Sequence, residues 1–220
     1  MSKQVAVILS GCGVEDGAEI YETTLTLLRL DQLGIGYRCF APDIDQHHVI
    51  DHLRGEEAPD ETRNALVEAA RLARGEVSEL AELDAEEFDA VILPGGFGVA
   101  KTLSDFAVVG SDMQVLDALA APLVAFHEAR KPIGLMCIAP VLVPRLFGEG
   151  IAVTIGHDPA VSGAISAMGG LHRACKVDDI VVDFEHRIVT TPAYMLAESI
   201  SEAASGIFKL VERIDEWMEL

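Results

Sequence analysis

The sequence has no Lys/Arg-rich stretch, no Cys-x-x-Cys pair, no internal repeat and no low-complexity tract. No apolar run approaches the ~18 residues of a membrane span. Each absence removes a class of function. Acidic residues number 36 against 16 basic ones, a formal net charge of −20, so nucleic acid and anionic membrane surfaces lack the positive footprint they need. Aromatics make up only 5% of the chain, with a single tryptophan, yet half the residues are hydrophobic, which excludes a disordered polymer. The 4 cysteines, Cys12, Cys39, Cys137 and Cys175, are widely scattered. That usage predicts reduced thiols in a cytoplasmic protein rather than a disulfide framework. Leu9-Ser10-Gly11-Cys12 spells a lipoprotein cleavage site, but the apolar run Val5 to Leu9 before it is shorter than the roughly 7–15 residues of a signal core.

What is present is an alternation. Val5 to Leu9 is a continuous β-prone run closed by Ser10-Gly11-Cys12-Gly13. A helix capped by Asp16 is expected next, with Ile20, Leu27, Leu28 and Leu33 on its apolar face and Gly34 as its stop. Tyr37 to Ala41 reads as a second strand and Glu61 to Arg74 as a helix. Ala90 to Leu93 is a buried strand ending in Pro94-Gly95-Gly96-Phe97-Gly98. Asp112 to Ala129 reads as a helix bent near Pro122, and Lys131 to Met136 as another strand. Val153 to Ile155 is a short strand, and Asp179 to Val182 pairs with Arg187 to Thr190 as a hairpin whose turn leaves His186 solvated. A helix over Ala197 to Met218 closes the chain, with Trp217 on a packing face or in an oligomer contact. Strands alternating with helices predict an α/β three-layer sandwich with a mostly parallel sheet, formed by residues 1–220 as one domain.

Cys137 ends the strand Ile133 to Met136, and Ile138-Ala139-Pro140 reads as a first helical turn with proline where a helix start tolerates it. A thiol on such a strand-to-helix elbow lies beside free amides and a positive dipole end, a setting that favours thiolate. In parallel sheets ligands bind beyond the carboxyl ends of the strands. Gly11-Cys12-Gly13, Gly95-Gly96-Phe97 and Cys137-Ile138 all fall on that edge, so a pocket is expected there, with Cys12 and Gly95 lining it.

Leu9-Ser10-Gly11-Cys12-Gly13-Val14, Glu61-Thr62-Arg63-Asn64, Leu93-Pro94-Gly95-Gly96-Phe97-Gly98, Met136-Cys137-Ile138-Ala139-Pro140 and Thr190-Thr191-Pro192-Ala193-Tyr194-Met195 together resemble the ThiJ/PfpI superfamily. The match is to its enhancing-lycopene-biosynthesis branch, also described as ElbB glyoxalases. The resemblance implies the flavodoxin-like sandwich of class I glutamine amidotransferases and a homodimer. It implies Cys137 as nucleophile, Glu19 as the protonated carboxyl reaching its sulfur, and the amides of Gly96 and Ile138 as an oxyanion hole. Ile138 stands where many superfamily members carry histidine, which removes the Cys-His pair that glutamine hydrolysis uses.

The function expected is therefore a glutathione-independent glyoxalase that converts a small aldehyde or dicarbonyl such as glyoxal to a 2-hydroxy acid. The alternative is a cysteine-based oxidation sensor or regulatory module linked to isoprenoid metabolism. No metal and no cofactor are expected. His48 and His52 stand four apart, near Asp45 and Asp51, but without an obvious third ligand. Gly95-Gly96-Phe97-Gly98 lacks both the lysine of a P-loop and the full dinucleotide fingerprint.

Overall fold

A computed structural model describes residues 3–219. The apolar runs become strands β1 Gln4–Ile8, β2 Gly36–Ala41, β3 Val77–Glu79, β4 Ala90–Leu93, β5 Ile133–Met136, β6 Val181–Asp183 and β7 Ile188–Thr191. They form one 7-stranded sheet in the order β6-β7-β5-β4-β1-β2-β3. Every neighbouring pair is parallel except the β6–β7 hairpin. The principal helices are α1 Ile20–Gln32, α2 Ala65–Leu72, α3 Asp117–Glu128 and α4 Ile200–Met218.

Strands β1, β4 and β5 are buried along their length because helices cover both faces. The chain leaves β1 in one direction along the sheet and β4 in the other. Right-handed crossovers then place α1 and α3 on opposite faces, and α4 joins α1. The reversal between β1 and β4 opens the sheet's carboxyl edge there, next to the end of β5.

Several expected elements shift. Asp16 does not cap α1; its carboxylate accepts the Ile50 N–H at 2.7 Å, and Glu19 is the cap. Of the expected inward face, Leu27 and Leu33 do pack against the core. Ile20 and Leu28 are exposed, while Glu22, Thr23, Thr26 and Leu30 are buried. The helix expected over 61–74 is shortened to α2, because Asn64 caps it by accepting the Val67 N–H at 3.0 Å. That expected over 112–129 begins only at Asp117, after a turn at Gly110–Asp112, and Pro122 lies inside it. Val153 belongs to a two-residue strand paired outside the main sheet, with Leu171–His172. His186 is half-buried, its Nδ1 3.0 Å from Asp183 Oδ1. Trp217 is a packing residue, 5% exposed, edge-on to Phe184.

Asn64 also donates to Asp43 Oδ1 at 2.7 Å, tying α2 to the loop after β2. We expect Asn64→Ala to lower unfolding free energy by about 1 kcal/mol in urea titrations. A change of only a few tenths would show that the cap does not hold this helix.

Candidate active site

Four segments meet on the carboxyl edge: 10–18 after β1, 94–98 after β4, 137–138 after β5 and 191–194 after β7. The first two interlock through backbone bonds. Phe97 N–H donates to Val14 O at 2.7 Å, Gly98 N–H to Gly17 O at 3.0 Å, and Glu19 N–H to Gly95 O at 2.9 Å. This contact explains the glycine pair. Gly96 holds φ 97°, and a methyl group there would collide with Gly17 O and Glu19 N. A methyl on Gly95 would collide with Cys137 Cβ and lie 2.8 Å from Glu22 Oε2. Only glycine lets this loop close on the cysteine.

Cys137 stands at φ 60°, a left-handed conformation that side-chain-bearing residues rarely adopt. Its own N–H donates to Thr191 O at 3.1 Å, which ties the elbow to the end of β7. The Gly96 and Ile138 amides and the Glu22 carboxyl act on the sulfur's proton, the amides favouring its loss and the carboxyl opposing it. The structure thus brings together Cys137, Gly95, Gly96 and Ile138. Glu19 is displaced from the sulfur by Glu22. The Glu19 carboxylate is spent on the cap, accepting the Glu22 N–H at 2.6 Å. Glu22 is fully buried; its Oε2 accepts the Gly95 N–H at 2.7 Å and its Oε1 the Tyr194 N–H at 3.0 Å. Cys12 sits half-buried on the neighbouring loop.

The electrostatics also depart from the sequence reading. Burial, then the facing Glu22 carboxyl, pushes the Cys137 thiol well above its ordinary range, so the resting group is a thiol. Beyond the elbow lie a tight turn over Ala139–Leu142 and a five-residue helix, Val143–Phe147. The dipole available to stabilise a thiolate is correspondingly small. Burial raises Glu22 to about 7 and pushes Glu19 up from its usual value. Clefts of 330 to 890 Å³ on the surface are lined by other segments, and Cys137 is 7% exposed.

The two histidines weighed as metal ligands lie on irregular chain rather than a helix, so their spacing does not align them. His52 Nδ1 faces Ile50 O at 3.0 Å while its Nε2 accepts the Glu15 N–H at 3.2 Å. Its ring is a brace for the 13–16 loop. Among the described residues no three His, Cys, Asp or Glu side chains converge as a metal site. Sequence reasoning missed Glu22. The signal available was its register with Thr26 and Leu30 on one helical face.

An elbow cysteine on this parallel sheet, with a first-helix carboxyl beside it, defines a class I glutamine amidotransferase-like fold. A solved Ehrlichia chaffeensis structure, described as an isoprenoid biosynthesis protein with an amidotransferase-like domain, superposes with TM-score 0.91 at 38% identity, covering 98% of this chain and 99% of that one. Drosophila melanogaster DJ-1beta shares the fold at TM-score 0.60 and 18% identity over 100% of this chain and 97% of its own. The rat mitochondrial ES1 protein homolog is 44% identical over 97% of this chain and 83% of its own length. The human mitochondrial glutamine amidotransferase-like class 1 domain-containing protein 3 is 44% identical over 97% of this chain and 82% of its own. No protein-family model matches the chain. The chain belongs to the family of these ES1 and amidotransferase-like class 1 domain proteins.

A carboxyl whose pKa is raised on folding binds its proton more tightly in the native state. Stability from Glu22 is therefore fully present below about pH 4.5 and is lost as pH rises toward about 7. We expect the melting temperature of the wild type, relative to Glu22→Gln, to fall across that window. Parallel pH curves for the two proteins would contradict the burial of an ionisable Glu22.

Proposed function

We propose that the protein is a glyoxalase-type enzyme acting on small dicarbonyls without glutathione. The observation that carries this reading is the pairing of the Cys137 thiol with a buried carboxyl beneath two backbone donors. The thiol proton passes to Glu22 as sulfur adds to one aldehyde carbon of glyoxal. The resulting oxyanion is held by the Gly96 and Ile138 amides and takes that proton from Glu22, giving the hemithioacetal and freeing the carboxylate. Glu22 then carries a proton from that carbon to its neighbour, converting the hemithioacetal to a thioester of the 2-hydroxy acid. Water cleaves the thioester, restoring the thiol and releasing glycolate. The sequence is redox-neutral overall, one carbon being oxidised as the other is reduced, so no external oxidant is required.

The sensor alternative is weaker on physical grounds. Oxidation sensors use exposed, low-pKa thiols, whereas Cys137 is buried and its pKa raised. Ile138, not histidine, follows Cys137, which weighs against glutamine hydrolysis. The four unpaired cysteines fit a reducing interior, cytoplasmic in our reading; the mitochondrial naming belongs to the relatives.

We infer a homodimer as well, supported by the exposed apolar side chains Val14, Ile20, Tyr21 and Phe97 around the start of α1. Light scattering on the eluting protein is expected to give twice the chain mass, and Tyr21→Asp to shift it toward one. A monomer at micromolar concentration would end that inference.

The enzymatic reading is tested by following glycolate from glyoxal. Cys137→Ser is expected to abolish product, and Glu22→Gln to lower kcat roughly 10²–10⁴-fold. Glu19→Gln, which keeps a cap acceptor, stays within a few-fold of wild type. Equal rates for wild type and Cys137→Ser would overturn the proposal.

A further inference from the structure

Five non-glycine residues have positive φ among those described, and three are arginines outside the core. The other two are buried: Cys137 at 60° and Ala193 at 45°. Backbone strain in the core is thus concentrated in two places, and both adjoin the same carboxyl.

Ala193 lies in the segment Thr191–Tyr194 just past β7, and this turn grips both members of the pair. Thr191 O accepts the Cys137 N–H, and Tyr194 N–H donates to Glu22 Oε1. The turn is itself anchored, for Thr191 Oγ1 donates to Asp179 O at 2.8 Å. With Gly95 N–H on the other oxygen, each Glu22 oxygen receives one main-chain donor. Two such donors favour the ionised carboxylate. A carboxylate facing a thiol accepts its proton's hydrogen bond and opposes its loss.

We propose that the Thr191–Tyr194 turn is a positioning element in which the left-handed backbone at Ala193 aims the Tyr194 N–H at Glu22 and so holds that carboxyl, with its charge, against Cys137. The inference rests on the reading of Cys137 and Glu22 as the working pair and adds what sets their proton. Its consequence is a restrained nucleophile: sulfur becomes reactive when an electrophile draws the proton onto Glu22, and stays quiet otherwise. The titratable groups facing the pair from neighbouring elements are Glu19 at the α1 cap and the phenol of Tyr194. Both are acidic, so neither offsets the Glu22 charge. Tyr194 acts here through its main chain, its ring lying 5.9 Å from that of Tyr21.

The test replaces the Tyr194 amide by an ester, using the α-hydroxy acid analogue of tyrosine, so that N–H becomes O and the side chain is kept. Alkylation of Cys137 by iodoacetamide is followed by peptide mass spectrometry across a pH series, with Cys175 as internal reference. Loss of the donor makes Glu22 hold its own proton and relieves the charge on sulfur. The Cys137 midpoint is expected to fall by about one pH unit, with alkylation near neutrality about tenfold faster and Cys175 unmoved. Ala193→Gly, which adopts positive φ freely, is expected to keep the wild-type midpoint. A midpoint that stays or rises in the ester protein overturns the proposal, as does a faster rate with no change in midpoint, which signals only a loosened core. A shifted midpoint in Ala193→Gly overturns the role given to that residue. Alkylation requires no turnover. A shifted profile in a protein inert toward glyoxal therefore counts against the catalytic reading alone, and an unshifted profile in an active enzyme counts against the turn.

Discussion

A carboxyl group with no access to water, pressed against a thiol, is the constraint around which this molecule is organised. Ionised Glu22 is costly to bury unless its oxygens are satisfied, and the chain supplies a donor to each from a different loop. Those loops follow β4 and β7, strands that flank β5 in the sheet, so the parallel order of the sheet is what delivers both donors to one place. The glycine pair, the left-handed elbow at Cys137 and the turn at Ala193 are each local departures from relaxed backbone that this convergence requires.

The same constraint decides the chemistry. An elbow cysteine in a wet, electropositive crevice is a thiolate and reacts with whatever arrives. Here the sulfur is protonated, nearly sealed and faces an acid. Such an arrangement suits transfer of protons between adjacent carbons of a small carbonyl compound, since the carboxyl raised to about 7 can both take and return a proton near neutrality. It suits glutamine hydrolysis poorly, because Ile138 stands where a histidine partner would follow the cysteine. The exposed apolar side chains at the head of α1 lie on the helix that carries Glu22, so a second subunit there would bear directly on the site's rim.

Much of the architecture is legible in the sequence because buried parallel strands leave an unmistakable trace: Val5–Leu9, Ala90–Leu93 and Ile133–Met136 are apolar without interruption. The Cys137 elbow and its Gly96 and Ile138 neighbours are legible for the same reason, each sitting just after such a run. The carboxyl is not, because Glu15, Glu19 and Glu22 crowd one short segment and only helical phase separates them. The apolar side chains Ile20, Leu27, Leu28 and Leu33 suggest one inward face, whereas the buried residues are Glu22, Thr23, Leu25, Thr26 and Leu30. A polar inward face defies the usual pattern because it meets a site rather than a core. The thiol's protonation is hidden from the sequence because the helix after the elbow is too short to supply much dipole, and because burial outweighs it.

The location of one proton carries the account, and infrared difference spectroscopy reads it directly. The S–H stretching band assigned to Cys137 by its loss in Cys137→Ser should be present in the resting protein at neutral pH, displaced by its hydrogen bond to Glu22. A resting protein without that band, its sulfur already ionised, would contradict the account.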